Sequence, residues 1–207
     1  MGFREQAAAE LKQSAELKIR CAETLSDPIA KAAEMLVACF RSGGKVMLCG
    51  NGGSAADSQH IAAEFVNKFY MPRPALPALA LTTDTSNLTS IGNDNSYDEV
   101  FSRQVEALGR KGDLLIGITT SGNSPNILRA FAAAKKLGVT TIGLLGRDGG
   151  PAAKQCDHAV IVPDKTTSRI QEVHITVGHI LCGIVDRELY GTPAEGGASG
   201  PKTTGVA

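Results

Sequence analysis

Tryptophan is absent from these 207 residues, and aromatic residues make up only 4% of them. So few rings exclude the stacking platforms that hold bases or sugar rings. Neither sign of charge is in excess, since 21 Lys and Arg stand against 21 Asp and Glu. A chain of zero net charge lacks the basic footprint of a nucleic-acid or anionic-lipid binder. No apolar run approaches the ~18 residues of a membrane span. Met1-Gly2-Phe3-Arg4-Glu5 leads into no apolar stretch of the signal-peptide kind, so the expected location is cytoplasmic. The five cysteines (Cys21, Cys39, Cys49, Cys156, Cys182) are odd in number and show no Cys-x-x-Cys spacing. Most sit in apolar contexts, where cysteine behaves as a small core residue. The sequence lacks the Gly-Lys-Ser or Gly-Lys-Thr of a Walker A loop, which disfavours NTP hydrolysis.

What is present is a full core and a regular alternation. Hydrophobic residues reach 43%, enough for one α/β domain of ordinary size with appended helices. Leu11, Ala15, Ile19 and Ala22 recur at helical spacing within residues 3–25. Asp27 and Pro28 read as the cap and first position of a second helix over residues 29–40. The apolar face of residues 3–25 has no partner in a core already covered by helices, and is expected to meet other subunits. Beyond Gly43-Gly44, strands are predicted at 45–49, 77–82, 113–118, 139–145 and 158–163. Helices are predicted at 54–68, from about Asp84, at 97–108, 125–137, 150–155 and 168–190. Strands that are nearly continuous apolar runs, such as Ala159-Val160-Ile161-Val162, suit a parallel sheet buried on both faces. Residues 192–207 are rich in Gly, Pro, Ala and Thr and read as a disordered tail.

Two short loops carry the chemistry. Cys49-Gly50-Asn51-Gly52-Gly53-Ser54 and Thr119-Thr120-Ser121-Gly122-Asn123-Ser124 each follow an apolar run and open a helix. Small residues let backbone approach a ligand, and amides at a helix start face outward with the positive end of the dipole. The hydroxyls of Ser54, Thr120, Ser121 and Ser124 add neutral donors. Together they suit a phosphorylated, polyhydroxylated small molecule. Gly50-Asn51-Gly52-Gly53-Ser54-Ala55 also fits the loose dinucleotide pattern. That reading needs an acidic residue about 20 positions on, where Asp84 comes too late, and gives the second loop no role.

His60 and Glu64 lie one helical turn apart on a stretch otherwise dominated by Ile61, Ala62, Ala63, Phe65 and Val66. A charge withdrawn from water needs a partner, and a metal is one way to supply it. In the last helix, Gln171 and His179 are about 80° apart and can share a cavity, whereas His174 and His179 are about 140° apart. Periodicity does not choose between the two histidines. His158 opens a strand and reads as structural.

The order Cys-Gly-Asn-Gly-Gly-Ser-Ala-Ala-Asp-Ser-Gln-His-x3-Glu over residues 49–64 strongly resembles the phosphoheptose isomerases of the sugar isomerase (SIS) domain family. So do Ile-Gly-Asn-Asp at 91–94, Thr-Ser-Gly-Asn-Ser at 120–124 and Arg-Ile-Gln-Glu-x-His-x4-His at 169–179. The resemblance spans roughly residues 1–190. It implies a flavodoxin-like α/β fold with a five-stranded parallel sheet, a homotetramer, and one zinc ion per subunit held by His60, Glu64, Gln171 and His179. It implies substrate contacts from Asn51, Gly52, Gly53, Ser54, Asn93, Asp94, Thr119, Thr120, Ser121 and Ser124, with Glu64 and Gln171 shared. The implied reaction converts sedoheptulose 7-phosphate to D-glycero-D-manno-heptose 7-phosphate, the opening step of bacterial heptose synthesis for lipopolysaccharide and related glycans.

Within that resemblance His179, and not His174, faces the site. Glu64 is expected to be the base that takes a proton from carbon, and His179 the acid that works on the opposite side of an enediol. The phosphate is expected at Thr120, Ser121 and Ser124. Thr119 stands where the family often has Ser and keeps the hydroxyl. Lys68 stands where Arg is common and lacks its planar fork. The family also holds isomerases of other sugar phosphates. A non-enzymatic paralogue that binds the bacterial replication initiator is the competing reading. The presence of both Glu64 and His179 favours the enzyme.

Overall fold

Alternation of side chains along the strands decides the layering. In the computed structural model, which describes residues 1–191, Val46 and Leu48 of β1 (Val46–Gly50) face one helical layer while Met47 and Cys49 face the other. The same division runs through β3 (Leu114–Thr119), β4 (Thr140–Gly146) and β5 (His158–Val162), with β2 (Ala78–Ala80) as a short edge. All pairings are parallel, in the order β2-β1-β3-β4-β5. Both faces are therefore covered, as a parallel sheet requires. One layer holds α1 (Phe3–Arg41), α2 (Gly53–Val66) and α7 (Thr167–Tyr190). The other holds α4 (Ser102–Leu108), α5 (Pro125–Leu137) and α6 (Gly150–Gln155), with α3 (Thr85–Asp94) beside them. The domain is flavodoxin-like, as the sequence led us to expect. The reading of residues 192–207 lies outside the described residues.

The strand order positions the site. β1 and β3 are neighbours, but the chain visits β2 between them. The loop after β1 runs into α2 on one face, and the loop after β3 runs into α5 on the other. Loops that part in opposite directions leave a crevice at the carboxyl ends of the strands, where ligands of open α/β sheets bind.

Two expectations are corrected. Asp27-Pro28 does not start a second helix, because α1 continues through Pro28 as one helix of 39 residues. An interior proline removes one backbone donor and crowds the carbonyl four residues back. Here the tertiary stripe outweighs that cost: Leu17, Cys21, Leu25 and Ile29 are buried on one line across it. The hydroxyls of Thr24 and Ser26 bond back to the carbonyls of Arg20 and Ala22, and the Pro28 carbonyl accepts from His158 Nε2 at 2.7 Å. The stripe of Leu11, Ala15, Ile19 and Ala22 is a separate face, exposed in the single chain.

The helix expected over 97–108 is likewise broken, into a 3-10 turn at Tyr97–Glu99 and α4. Val100 and Phe101 are adjacent and both fully buried. The Ser96 hydroxyl caps the first turn by accepting the Asp98 N–H, and the Ser102 hydroxyl donates to the Glu99 carbonyl that a continuous helix would use, so local side-chain bonds divide the segment in two.

Candidate functional site

α2 starts at the crevice and carries His60 and Glu64 on one face, with His60 Nε2 3.4 Å from Glu64 Oε1. α7 lies against α2 because Gly178 has no side chain: a Cβ there would stand 2.5 Å from Ile61 Cδ1. That contact brings the next residue, His179, to α2. Its Nε2 is 2.9 Å from His60 Nε2, so one ring nitrogen is the donor. The ring of Phe69 stacks on His179, with centroids 5.4 Å apart. A second close approach sets Gln171 over the loop, since a Cβ on Gly53 would lie 2.7 Å from Gln171 Nε2.

A buried ion pair holds the two helices in this relation. Arg73 Nε donates to Asp186 Oδ1 of α7 at 2.8 Å. Its Nη1 and Nη2 donate to the carbonyls of Phe65 and Glu64 at 2.7 and 2.8 Å. One guanidinium therefore satisfies open carbonyls at the end of α2, where a cation also suits the helix dipole, and ties that end to α7. Both side chains are almost wholly excluded from solvent. Such a pair is stable only when its remaining donors and acceptors are satisfied; the Tyr70 N–H supplies the other oxygen of Asp186.

The second wall of the crevice is the loop after β3. Thr119 Oγ1 lies 2.9 Å from Ser124 Oγ and 3.5 Å from Ser121 Oγ. Ser124 stands at the N-cap of α5, yet its hydroxyl makes no capping bond. The Ile127 N–H, which a cap side chain would take, goes to the Ser124 carbonyl instead, and the cap hydroxyl stays in the cluster with Thr119, beside the positive end of the α5 dipole. Hydroxyls beside the first backbone N–H groups of a helix are chemistry that suits an anion.

Asp57 was not singled out from the sequence. It lies one turn before His60, and its Oδ2 is buried with no hydrogen-bond partner. Burial pushes its carboxyl up, while the nearby His60 and His179 pull it back. Its spacing of three residues from His60 was the available signal.

His174 is fully buried, with Nε2 2.9 Å from the Leu145 carbonyl. Burial lowers its pKa to about 4, so it is neutral near pH 7. It serves the core behind the sheet and not the crevice.

The SIS domain profile matches residues 11–146. The phosphoheptose isomerase of Clostridium acetobutylicum is 56% identical over 185 residues, which are 88% of this chain and 94% of that protein. The chain belongs to the phosphoheptose isomerases of the SIS domain family. The Sulfurimonas denitrificans phosphoheptose isomerase is 54% identical over 88% of this chain and 94% of its own. The solved phosphoheptose isomerase of Neisseria gonorrhoeae superposes with a TM-score of 0.85 at 47% identity, covering 89% of this chain and 99% of that one.

Most of the residues expected to act in a phosphoheptose isomerase fall into three groups. His60, Glu64, Gln171 and His179 come from α2 and α7 and stand at the α2 end of the crevice. Thr120, Ser121 and Ser124 form the other wall, with Thr119, only 4% exposed, bonded to them from beneath. Asn51, Gly52 and Gly53 lie between, where α2 begins. Asn93 and Asp94 end α3, exposed, with Asn93 Nδ2 donating to Asp94 Oδ1 at 2.8 Å. Ser54 is only 3% exposed and underlies the loop instead of lining it. Lys68 is exposed beyond the end of α2.

As for a metal, His60 Nε2, His179 Nε2 and Glu64 Oε1 give separations of 2.9 and 3.4 Å about His60. Two donors each ~2.0–2.1 Å from a tetrahedral zinc stand about 3.3 Å apart, so this donor chemistry fits zinc. Among the described residues, no three His, Cys, Asp or Glu side chains close as a metal cluster on their own.

Proposed function

We propose that this chain isomerises sedoheptulose 7-phosphate to D-glycero-D-manno-heptose 7-phosphate through an enediol, opening bacterial heptose synthesis. The observation that carries this reading is the meeting of His60 and Glu64 on α2 with His179 on α7, at a crevice whose other wall is a hydroxyl-rich helix start. The loop after β3 holds the phosphate, which leaves the ketose end of the substrate at the α2–α7 end.

Glu64 removes a proton from carbon 1, and the released electron pair forms the double bond between carbons 1 and 2. The carbonyl oxygen on carbon 2 takes a proton from His179. In the second half, the oxygen on carbon 1 returns a proton to His179 as its carbonyl forms, and Glu64 delivers its proton to carbon 2. Atoms balance, with nothing gained or lost. A positioned base and acid each contribute about 10² to 10⁴ in rate.

Zinc, held by His60, Glu64, Gln171 and His179, would stabilise charge developing on the substrate oxygens when bound. Glu64 and His179 each have a second heteroatom for the second role. We also read the enzyme as a cytoplasmic homotetramer. Phe3, Leu11 and Ile19 stand 91%, 73% and 64% exposed along the free stretch of α1, which supports assembly through that helix. Among the described residues, no helix is long and apolar enough to cross a membrane.

The test is incubation of the purified chain, its mass set by light scattering, with sedoheptulose 7-phosphate. We expect the aldose heptose phosphate as product, with turnover that falls on chelation and returns with zinc. No product under zinc-replete conditions would refute the reading.

A further inference from the structure

The two walls of the crevice are joined by a pair of carboxamides. Asn51, in the loop after β1, donates from Nδ2 to Asn126 Oδ1 at 2.9 Å, and Asn126 Nδ2 donates back to Asn51 Oδ1 at 2.9 Å. Asn126 is the second residue of α5 and is 3% exposed. The pair thus spans the switch point between β1 and β3, the place where the sheet's two halves diverge.

A third group completes it. The Tyr97 hydroxyl donates to Asn51 Oδ1 at 3.2 Å. Tyr97 opens the 3-10 turn that follows Asn93 and Asp94. The Ser96 hydroxyl caps that turn by accepting the Asp98 N–H at 3.1 Å, and Glu99 ties it to Arg129 of α5 at 2.8 Å. Tyr97 is nonetheless 58% exposed. A large ring held in place by its surroundings, but not buried by them, has a surface left for something else.

Counting donors and acceptors shows what the arrangement does. A carboxamide oxygen accepts two hydrogen bonds and its nitrogen donates two. Asn51 Oδ1 already takes two donors, so it has no lone pair for a ligand. Asn51 Nδ2 gives one hydrogen to Asn126 and keeps one. Asn51 therefore meets a sugar as a donor, suited to a hydroxyl or carbonyl oxygen.

We propose that Tyr97 is a positioning residue of the isomerase: its hydroxyl holds the Asn51–Asn126 pair in the orientation that offers an Asn51 N–H to a sugar oxygen, at a set distance from the phosphate loop. This rests on the isomerase reading, since it needs a ligand with both a phosphate and a sugar oxygen. Tyr97 does not touch the reacting carbons and does not hold the phosphate.

The experiment compares equilibrium binding of sedoheptulose 7-phosphate and of inorganic phosphate to the wild type, Tyr97→Phe and Tyr97→Leu. Losing one neutral hydrogen bond in the chain of contacts should weaken the sugar phosphate roughly five- to tenfold in Tyr97→Phe, with inorganic phosphate changed by less than about twofold. KM should rise by the same factor with kcat less affected. Equal weakening of both ligands would mean a merely structural turn and would overturn the proposal. So would a Tyr97→Phe protein indistinguishable from wild type while Tyr97→Leu is impaired, because the ring and not the hydroxyl would then matter. A wild type that binds the sugar phosphate without turning it over would refute the isomerase reading and leave the Tyr97 comparison intact. A wild type that binds the two ligands equally well would overturn the Tyr97 proposal itself.

Discussion

The two ends of the parallel sheet treat polar side chains in opposite ways. Where the strands begin, such groups are committed to one another. Asp113 takes the Lys45 ammonium together with the backbone N–H groups of Lys45 and Arg110, the latter two at 3.0 and 2.8 Å. Asp157 Oδ2 accepts both the N–H and the hydroxyl of Thr141 at 2.8 Å, and the Thr141 hydroxyl accepts the Asp157 N–H at 2.9 Å. Where the strands end, commitments are partial. Asp57 Oδ2 has no partner, the Ser124 hydroxyl leaves its helix uncapped, and two imidazole nitrogens face each other. A polar group that is fully bonded serves the fold, and a cluster of incompletely bonded groups at the mouth of a crevice is open to a ligand. The difference separates stability from chemistry along a single sheet.

The largest expected effect lies at the ligand end. His179→Gln should lower kcat by about 10² to 10⁴ with little change in melting temperature, since it removes an acid and leaves the core intact. His174→Gln offers the sharpest contrast, five residues away on the same helix. It should leave kcat within a small factor and act through stability, because His174 is buried against the Leu145 carbonyl. Steady-state kinetics beside thermal melts of the two variants checks both halves. Comparable loss of kcat in both would erase the distinction between the two histidines.

A smaller effect is expected at the other end, and it should depend on pH. Burial raises the Asp113 carboxyl, but the Lys45 ammonium and the backbone N–H groups of Lys45 and Arg110 more than offset this and hold it below the usual carboxylate range. A depressed folded-state value means that the unfolded chain binds the proton more readily. The stabilisation is therefore fully present above the ordinary Asp value of about 3.9, and is lost as pH falls through the lower folded value. Asp113→Asn should cost about 1.5–3 kcal/mol near neutral pH, the range for hydrogen bonds to a charged group. The gap from wild type in urea titrations should shrink as pH drops below 4, while turnover per folded molecule stays unchanged. A gap independent of pH would show that the carboxylate charge is not what stabilises this end.

Much of this division is legible in the sequence, and the exceptions have physical causes. Continuous apolar runs such as Leu114-Leu115-Ile116 announce strands buried on both sides, and the small-residue loops after Leu48 and Ile118 announce close approach to a ligand. His60 and Glu64 are found by their spacing of four. Pro28 misleads because a local start signal is overridden by the stripe that runs from Leu17 to Ile29. Residues 97–108 mislead because the Ser96 and Ser102 hydroxyls bond to backbone groups at Asp98 and Glu99, dividing a stretch whose apolar pattern alone reads as one helix. The choice of His179 over His174 needed either the family pattern or the contact between α2 and α7 at Gly178. Tyr97 and Asn126 were missed for a different reason. Their partner Asn51 is 46 and 75 positions away in the chain, beyond any local pattern.

The most direct test of the account is turnover of sedoheptulose 7-phosphate in D₂O by the wild type and by Glu64→Gln, followed by NMR of the product. If Glu64 carries a proton between carbons 1 and 2 beside open solvent, deuterium should enter carbon 2 of the aldose. Glu64→Gln should remain folded and form product slower by about 10² or more. Product without deuterium, together with turnover in Glu64→Gln close to that of the wild type, would contradict proton transfer by this carboxylate.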